Sequence, residues 1–322
     1  MSAGTDFSIG VDIGGTKIAA GLIDSRGQLL SRLQTPTPTD PDAVVDSVVG
    51  LVETLREVHA VNTVGVAAPG FVSKDRAVVH HAPNIAWQDE PLRDRLENRL
   101  SLTVVLDNDA NAAGWAEYRF GAAQDSSVMV MLTLGTGVGG AIVLDGSLFR
   151  GANGMAAELG HINSTLGGRR CGCGQRGCLE QYASDRALQR SISQLPVEEA
   201  RALHRERDSG GAVPPTEFED LVDREDPAAV AVIASVTNAL GRACADFQAV
   251  LDPDCFVIGG GLASLGSHLL RPVERSYLDA LPGGLERPRA RFVQARMGND
   301  AGIVGAADLA REATAARQRV VR

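Results

Sequence analysis

The chain has 322 residues, 44% of them hydrophobic, enough for a sizeable core in one large domain or, as the better expectation, two. Its 31 basic residues are scattered among 40 acidic ones for a formal net charge of −9, which argues against nucleic acid and anionic membrane as partners. No basic segment leads into a long apolar run near the start, so a soluble, cytoplasmic protein is expected, with its thiols reduced.

In chain order, Phe7 to Val11 alternates as a strand. A glycine pair then turns the chain into a second strand, Ile18 to Ile23, and Asp24-Ser25-Arg26-Gly27 turns it into a third near Gln28 to Leu30. Val44, Val45, Val48, Val49, Val52 and Leu55 recur at helical spacing, so the spacing predicts a helix from about Pro41 with one buried face. Buried strands follow at Val64 to Ala67 and Leu102 to Leu106, separated by a loop through Ala82-Pro83-Asn84 and a short helix near Pro91 to Leu100. A short alanine-rich helix begins after Asp109 and ends near Phe120.

The pattern then starts again. Val128 to Leu134 is a strand, Gly135 to Gly140 a glycine turn, Ala141 to Leu144 a strand, and Asp145-Gly146 a hairpin signal. Two such copies predict a duplicated α/β architecture. The polar stretch from about Arg205 to Pro227 reads as a surface excursion. A helix from Ala228 to Leu251, a strand from Cys255 to Ile258, a third glycine cluster at Gly259-Gly260-Gly261 and a last helix from about Gly302 complete the chain.

Glycine turns after strands let backbone N–H groups approach phosphate. Gly135, Gly137 and Gly140 satisfy G-x-G-x-x-G, but a strand follows where the dinucleotide fingerprint needs a helix. Gly10 and Gly15 have P-loop spacing, but Thr16-Lys17 and another strand follow. Two hairpin turns, each with a threonine hydroxyl at 16 or 136, remain as the phosphate-binding candidates.

Asp12-Ile13-Gly14-Gly15-Thr16-Lys17, Asn108-Asp109-Ala110-Asn111, the glycine turn from Gly135, Glu158-Leu159-Gly160-His161, CGCGQRGCLEQ and Ile258-Gly259-Gly260-Gly261 resemble, in order and over nearly the whole chain, the ROK family of sugar kinases and repressors, in particular its ATP-dependent glucokinases. The resemblance implies an actin-like, hexokinase-type ATPase fold of two α/β domains, with the last helix packing back on the first domain. The expected N-terminal domain spans 1–118 plus 301–322 and carries the first phosphate turn and the catalytic aspartate; the C-terminal domain, 119–300, carries the second turn, the cysteine loop and the adenosine-side glycines. It further implies phosphorylation of glucose at the 6-hydroxyl with Asp109 as general base. From position alone, Asp109 reads equally as a base or as the N-cap of the next helix. Asn84, Asn108, Asp109, Glu158, His161 and Glu180 are expected, by the same resemblance, to line the hexose pocket, and Asp12 to lie near the magnesium ion of Mg-ATP. Gly14, Gly15, Thr16, Lys17, Gly135, Thr136, Gly137, Gly260 and Gly261 are expected at the nucleotide. Asp107 reads as a turn or capping residue outside the site.

Three of the five cysteines crowd into CGCGQRGC, with His161 ten residues before Cys171. Cys171, Cys173, Cys178 and His161 have the composition of a closed, structural zinc site, an arrangement the family shares. A redox centre lacks support because no C-x-x-C pair is present. Cys244 and Cys255 read as small core residues, and the other five histidines have no partner at ligand spacing. The rival readings are a ROK kinase for fructose, mannose or N-acetylmannosamine, a sugar-responsive repressor, and a sugar-binding protein without catalysis. A repressor needs a helix-turn-helix for which the first strand near Phe7 leaves no room, and a non-catalytic protein is expected to lack Asp109. A homodimer or dimer of dimers is implied by resemblance.

Overall fold

The computed structural model describes residues 7–57, 59–82 and 85–320. The first sheet is built from β1 (Ser8–Ile13), β2 (Lys17–Ile23) and β3 (Leu29–Pro36), which form an antiparallel meander. After α1 (Pro41–Arg56), β4 (Thr63–Ala68) returns parallel to β1. The α1 helix starts where the Asp40 carboxylate accepts the Ala43 N–H at 2.9 Å and Pro41 supplies a preset φ. Val44, Val45, Val48, Val52 and Leu55 are buried as their spacing predicts, while Val49 is only partly so.

A small three-stranded sheet follows, formed by β5 (Phe71–Val72), β6 (Val79–Ala82) and β7 (Trp87–Glu90). Strands of two to four residues are too short to show a period, so the sequence reads this region as loop. Next come α2 (Leu92–Leu100), β8 (Thr103–Asn108) and α3 (Asp109–Arg119). β8 pairs parallel to β4 and completes the sheet order β3-β2-β1-β4-β8.

The second sheet contains β9 (Val128–Leu134), β10 (Val138–Leu144) and β11 (Ser147–Leu148). The glycine turn is therefore confined to 135–137, since β10 begins at Val138 rather than at Ala141. Helices α4 (Glu180–Ala183), α5 (Asp185–Gln194), α6 (Arg201–Gly210) and α7 (Pro215–Asp223) come next. The polar stretch is thus largely helical, because Leu203, Val213 and Phe218 bury themselves among its charges and Pro215 starts α7. The apolar α8 (Pro227–Leu251) is capped by Asp226 and packs along α9 (Ser267–Ala280). By length and composition α8 could cross a bilayer, but 61% of its most apolar window is buried within the protein. Between them β12 (Cys255–Gly259) pairs parallel to β9, and β13 (Arg291–Gln294) pairs parallel to β12. The sheet order β11-β10-β9-β12-β13 repeats that of the first sheet, position for position.

The last helix, α10 (Ala301–Val320), packs on β1 and β4. Gly10 and Gly65 sit side by side in the register of those strands, and a Cβ on either would overlap a carbonyl oxygen of α10, Ile303 or Ala306. Helix packing, not phosphate, therefore accounts for Gly10. By internal contacts the chain forms two compact units, one of Met1–Asp125, Ala141–Ala157 and Met297–Arg322, the other of Ser126–Gly140 and Glu158–Arg296.

Candidate active site

In the first unit, β1, β4 and β8 run parallel, so their carboxyl ends share one edge of the sheet, where open α/β sheets present ligand groups. Asp12, Ala67 and Asp107 occupy one row of that register, and Asn108 ends β8. Asn108, not Asp109, caps α3: its side-chain oxygen accepts the Asn111 N–H at 3.1 Å, and its amide donates to the Gly70 carbonyl at 3.1 Å. One lone pair of the Asn108 side-chain oxygen remains for a ligand. Asp109 is released from capping: it accepts the adjacent Ala110 N–H at 2.9 Å and interacts with the Asn108 side chain.

Both aspartates are half-buried and perturbed. Burial raises the pKa of Asp109, with the Ala110 N–H the leading opposing influence. Asp12 is pushed up to about 7, first by burial and then by the charge of Asp109, with Lys17 and Arg32 offsetting part of the rise. Two oxygen-donor carboxylates that repel each other suit a hard divalent cation, which would relieve that repulsion, and a carboxylate raised by burial is a stronger base for proton abstraction than an exposed one. The adjoining turn is firmly built. The Gly14 N–H donates to Lys17 at 3.0 Å, while the Thr37 hydroxyl and N–H donate to the carbonyls of Gly14 and Thr16 at 2.7 and 3.0 Å. Gly15, Thr16 and Lys17 are exposed on it.

Asp107, expected as a turn or capping residue, lies in β8 instead. It is 3% exposed and binds the guanidinium groups of Arg76 and Arg150, at 2.9 and 2.6 Å. Burial alone would raise its pKa, but Arg150 and then Arg76 hold it below the usual carboxylate value. Its partners lie 31 and 43 positions away, so no local signal marks it.

In the second unit, the Gly135 N–H donates to Gly137 at 3.0 Å, and the Asp185 N–H donates to Gly135 at 2.9 Å, leaving Thr136 exposed at the tip. Gly260, with φ 84°, lies so close to Leu134 that a Cβ would overlap its backbone, so the third glycine cluster and the second turn are neighbours. Glu158 precedes a 3₁₀ turn, Leu159–His161, that lies against Val138, and a Glu180 carboxylate oxygen is 3.4 Å from the Val138 N–H. Cys171 joins the two, with its sulfur 3.6 Å from His161 Nδ1 and 3.5 Å from Glu180. The structure thus brings His161 and Glu180 together in this unit, as it brings Asp12 and Asp109 together in the other. Asn84 lies outside the described residues.

The ligand atoms of His161, Cys171, Cys173 and Cys178 all lie within 4.8 Å of one another, the only such group of metal-ligating type among the described residues. The Cys173 and Cys178 sulfurs are 3.6 Å apart, close to the roughly 3.7 Å edge of a zinc tetrahedron with 2.3 Å bonds. Burial, with the neighbouring thiols adding to it, pushes Cys178 up to about 12, a strain that a cation would reverse. The other histidines stay apart from this group. His80 pairs with Asp89 at 2.7 Å, His268 with Asp223 at 3.0 Å, His204 meets the Leu195 carbonyl, and His59 lies against Phe7.

Comparison with known proteins bears on both halves. The chain is similar to a glucokinase of Streptomyces coelicolor, 45% identical over 95% of this chain and 98% of that one. It is 34% identical to an N-acetylmannosamine kinase of Escherichia fergusonii over 94% of this chain and 98% of that one. A ROK family glucokinase from Streptomyces griseus, solved in complex with glucose and AMPPNP, superposes with a TM-score of 0.85 at 44% identity, over 95% of this chain and 99% of that one. The profile of the ROK family matches residues 8–313. With its repeated sheets, glycine turns and carboxylate pair in the order that profile spans, the chain belongs to the ROK family and has its actin-like ATPase fold.

Proposed function

We propose that this chain catalyses the ATP-dependent phosphorylation of glucose at the 6-hydroxyl, giving glucose 6-phosphate and ADP. The observation that carries this reading is the half-buried Asp109 carboxylate, freed from capping by Asn108 and set beside Asp12, in a chain so similar to a glucokinase. Asp109 takes the hydroxyl proton as the sugar oxygen attacks the γ-phosphorus. The bond to the bridging oxygen breaks and ADP leaves with the electron pair. Magnesium bound with the nucleotide supplies positive charge that offsets the phosphate oxygens, and Asp12 is the carboxylate that would face it. In the first unit Gly14, Gly15, Thr16 and Lys17 offer donors to the phosphates, and in the second Gly135, Thr136 and Gly137 do, with Gly260 and Gly261 on the adenosine side. Asn84, Asn108, Asp109, Glu158, His161 and Glu180 are the groups that the family resemblance assigns to the sugar.

His161, Cys171, Cys173 and Cys178 hold one structural zinc in this reading, since four protein ligands leave no open coordination position. His161 turns Nδ1 to the sulfurs, which leaves Nε2 for the sugar. The protein acts in the cytoplasm as a homodimer or dimer of dimers. The second reading is a kinase for another hexose, with N-acetylmannosamine favoured by the kinase relative named for it.

ADP release with Mg-ATP over glucose, fructose, mannose and N-acetylmannosamine separates the two. Glucose is expected to give the highest kcat/KM. Higher turnover on N-acetylmannosamine would replace the substrate, and no turnover on any hexose would overturn the kinase reading.

A further inference from the structure

We propose that Arg150, acting through Asp107, is a positioning residue for the general base, an inference that rests on the kinase reading above. One Asp107 oxygen accepts from Arg150 Nε and Nη2 at 2.9 and 2.6 Å and from Arg76 Nη2 at 2.9 Å. The other accepts the Asn108 backbone N–H at 3.0 Å and Asn111 Nδ2 at 3.1 Å. Asn108 and Asn111 are the two residues joined by the α3 cap, and Asp109 lies between them in sequence. Both ends of the cap that aims Asp109 are therefore tied to one buried carboxylate, and that carboxylate is held from behind by two arginines.

The arginines reach it from separate segments of the same unit. Arg76 stands in the turn between β5 and β6 and also donates to the Leu106 carbonyl at 3.2 Å, while Arg150 follows β11. Gly154, with φ 90°, lies against the backbone of Val72 to Lys74, which brings the stretch after Arg150 alongside the turn that bears Arg76. A buried ion cluster adds little net stability over an apolar packing, so its value here is geometric. The Asn108 side chain, which links this cluster to the base, itself interacts with Asp109, so removing Arg150 should misplace the base.

The test uses Arg150→Lys, which keeps the charge but loses the two-pronged contact, and Arg150→Ala. With Mg-ATP and glucose, kcat is expected to fall about tenfold in the lysine variant and about 100-fold in the alanine variant, while the KM for Mg-ATP stays within about twofold and the lysine variant melts as the wild type does. Should the alanine variant unfold, the lysine variant decides by the same criterion. Wild-type turnover that is lost in Asp109→Asn but kept within about twofold in the Arg150 variants overturns this proposal alone, as does a rise in the KM for Mg-ATP matching the fall in kcat. No hexose turnover by the wild type overturns the kinase reading, and this proposal with it.

Discussion

Asn108 and Asp109 are adjacent and similar in shape, yet the fold gives them opposite tasks: the amide closes the helix cap and the carboxylate stays available. Sequence position left Asp109 balanced between those two tasks, because either residue type caps a helix well. The pairing with Asp12 has a thermodynamic consequence in the ligand-free protein. Asp12 is raised from the usual 3.8 to about 7, so the folded chain binds more protons than the unfolded chain between those values. Its contribution to stability is full below pH 4 and is lost as pH rises through about 7, on the order of 4 kcal/mol. Thermal unfolding without nucleotide should show wild type losing stability from pH 5 to pH 8, and Asp12→Asn losing less. An identical slope in the two proteins would contradict the placement of Asp12.

At the scale of elements, the approach of α10 to β1 and β4 depends on residues without side chains. Gly65→Val would drive a branched side chain into the Ala306 carbonyl, and we expect a loss of about 2–3 kcal/mol or more in denaturant unfolding; a loss below about 0.5 kcal/mol would contradict the contact. The cysteine loop makes a separate prediction. Cys178→Ser should drop bound zinc below one equivalent per chain and raise the KM for glucose, because the same cluster holds His161 beside Cys171 and Glu180. Full zinc content, or an unchanged glucose KM after its loss, would separate the loop from the sugar. Much at this scale was legible: valine spacing marked α1, and the hairpin turns marked both meanders. Helices α6 and α7 were not, because a few buried side chains such as Phe218 organise a stretch dominated by charge.

For the whole molecule, the duplicated α/β architecture was readable because each half repeats strand, glycine turn, strand and hairpin, whereas the order of the strands emerges only in the fold. The family motifs marked Asp12, Asp109, His161 and the cysteines. What the sequence hid was long-range support: Arg76, Asp107 and Arg150 meet only after folding, and each alone passes for a surface charge. The proposed function turns on one proton transfer at Asp109. Glucose 6-phosphate formation at saturating Mg-ATP and glucose, compared between wild type and Asp109→Asn, tests it most directly. The account predicts robust formation by the wild type and a loss of about 10³-fold or more in the variant, with its melting temperature unchanged. A variant that keeps more than about a tenth of wild-type turnover would contradict it.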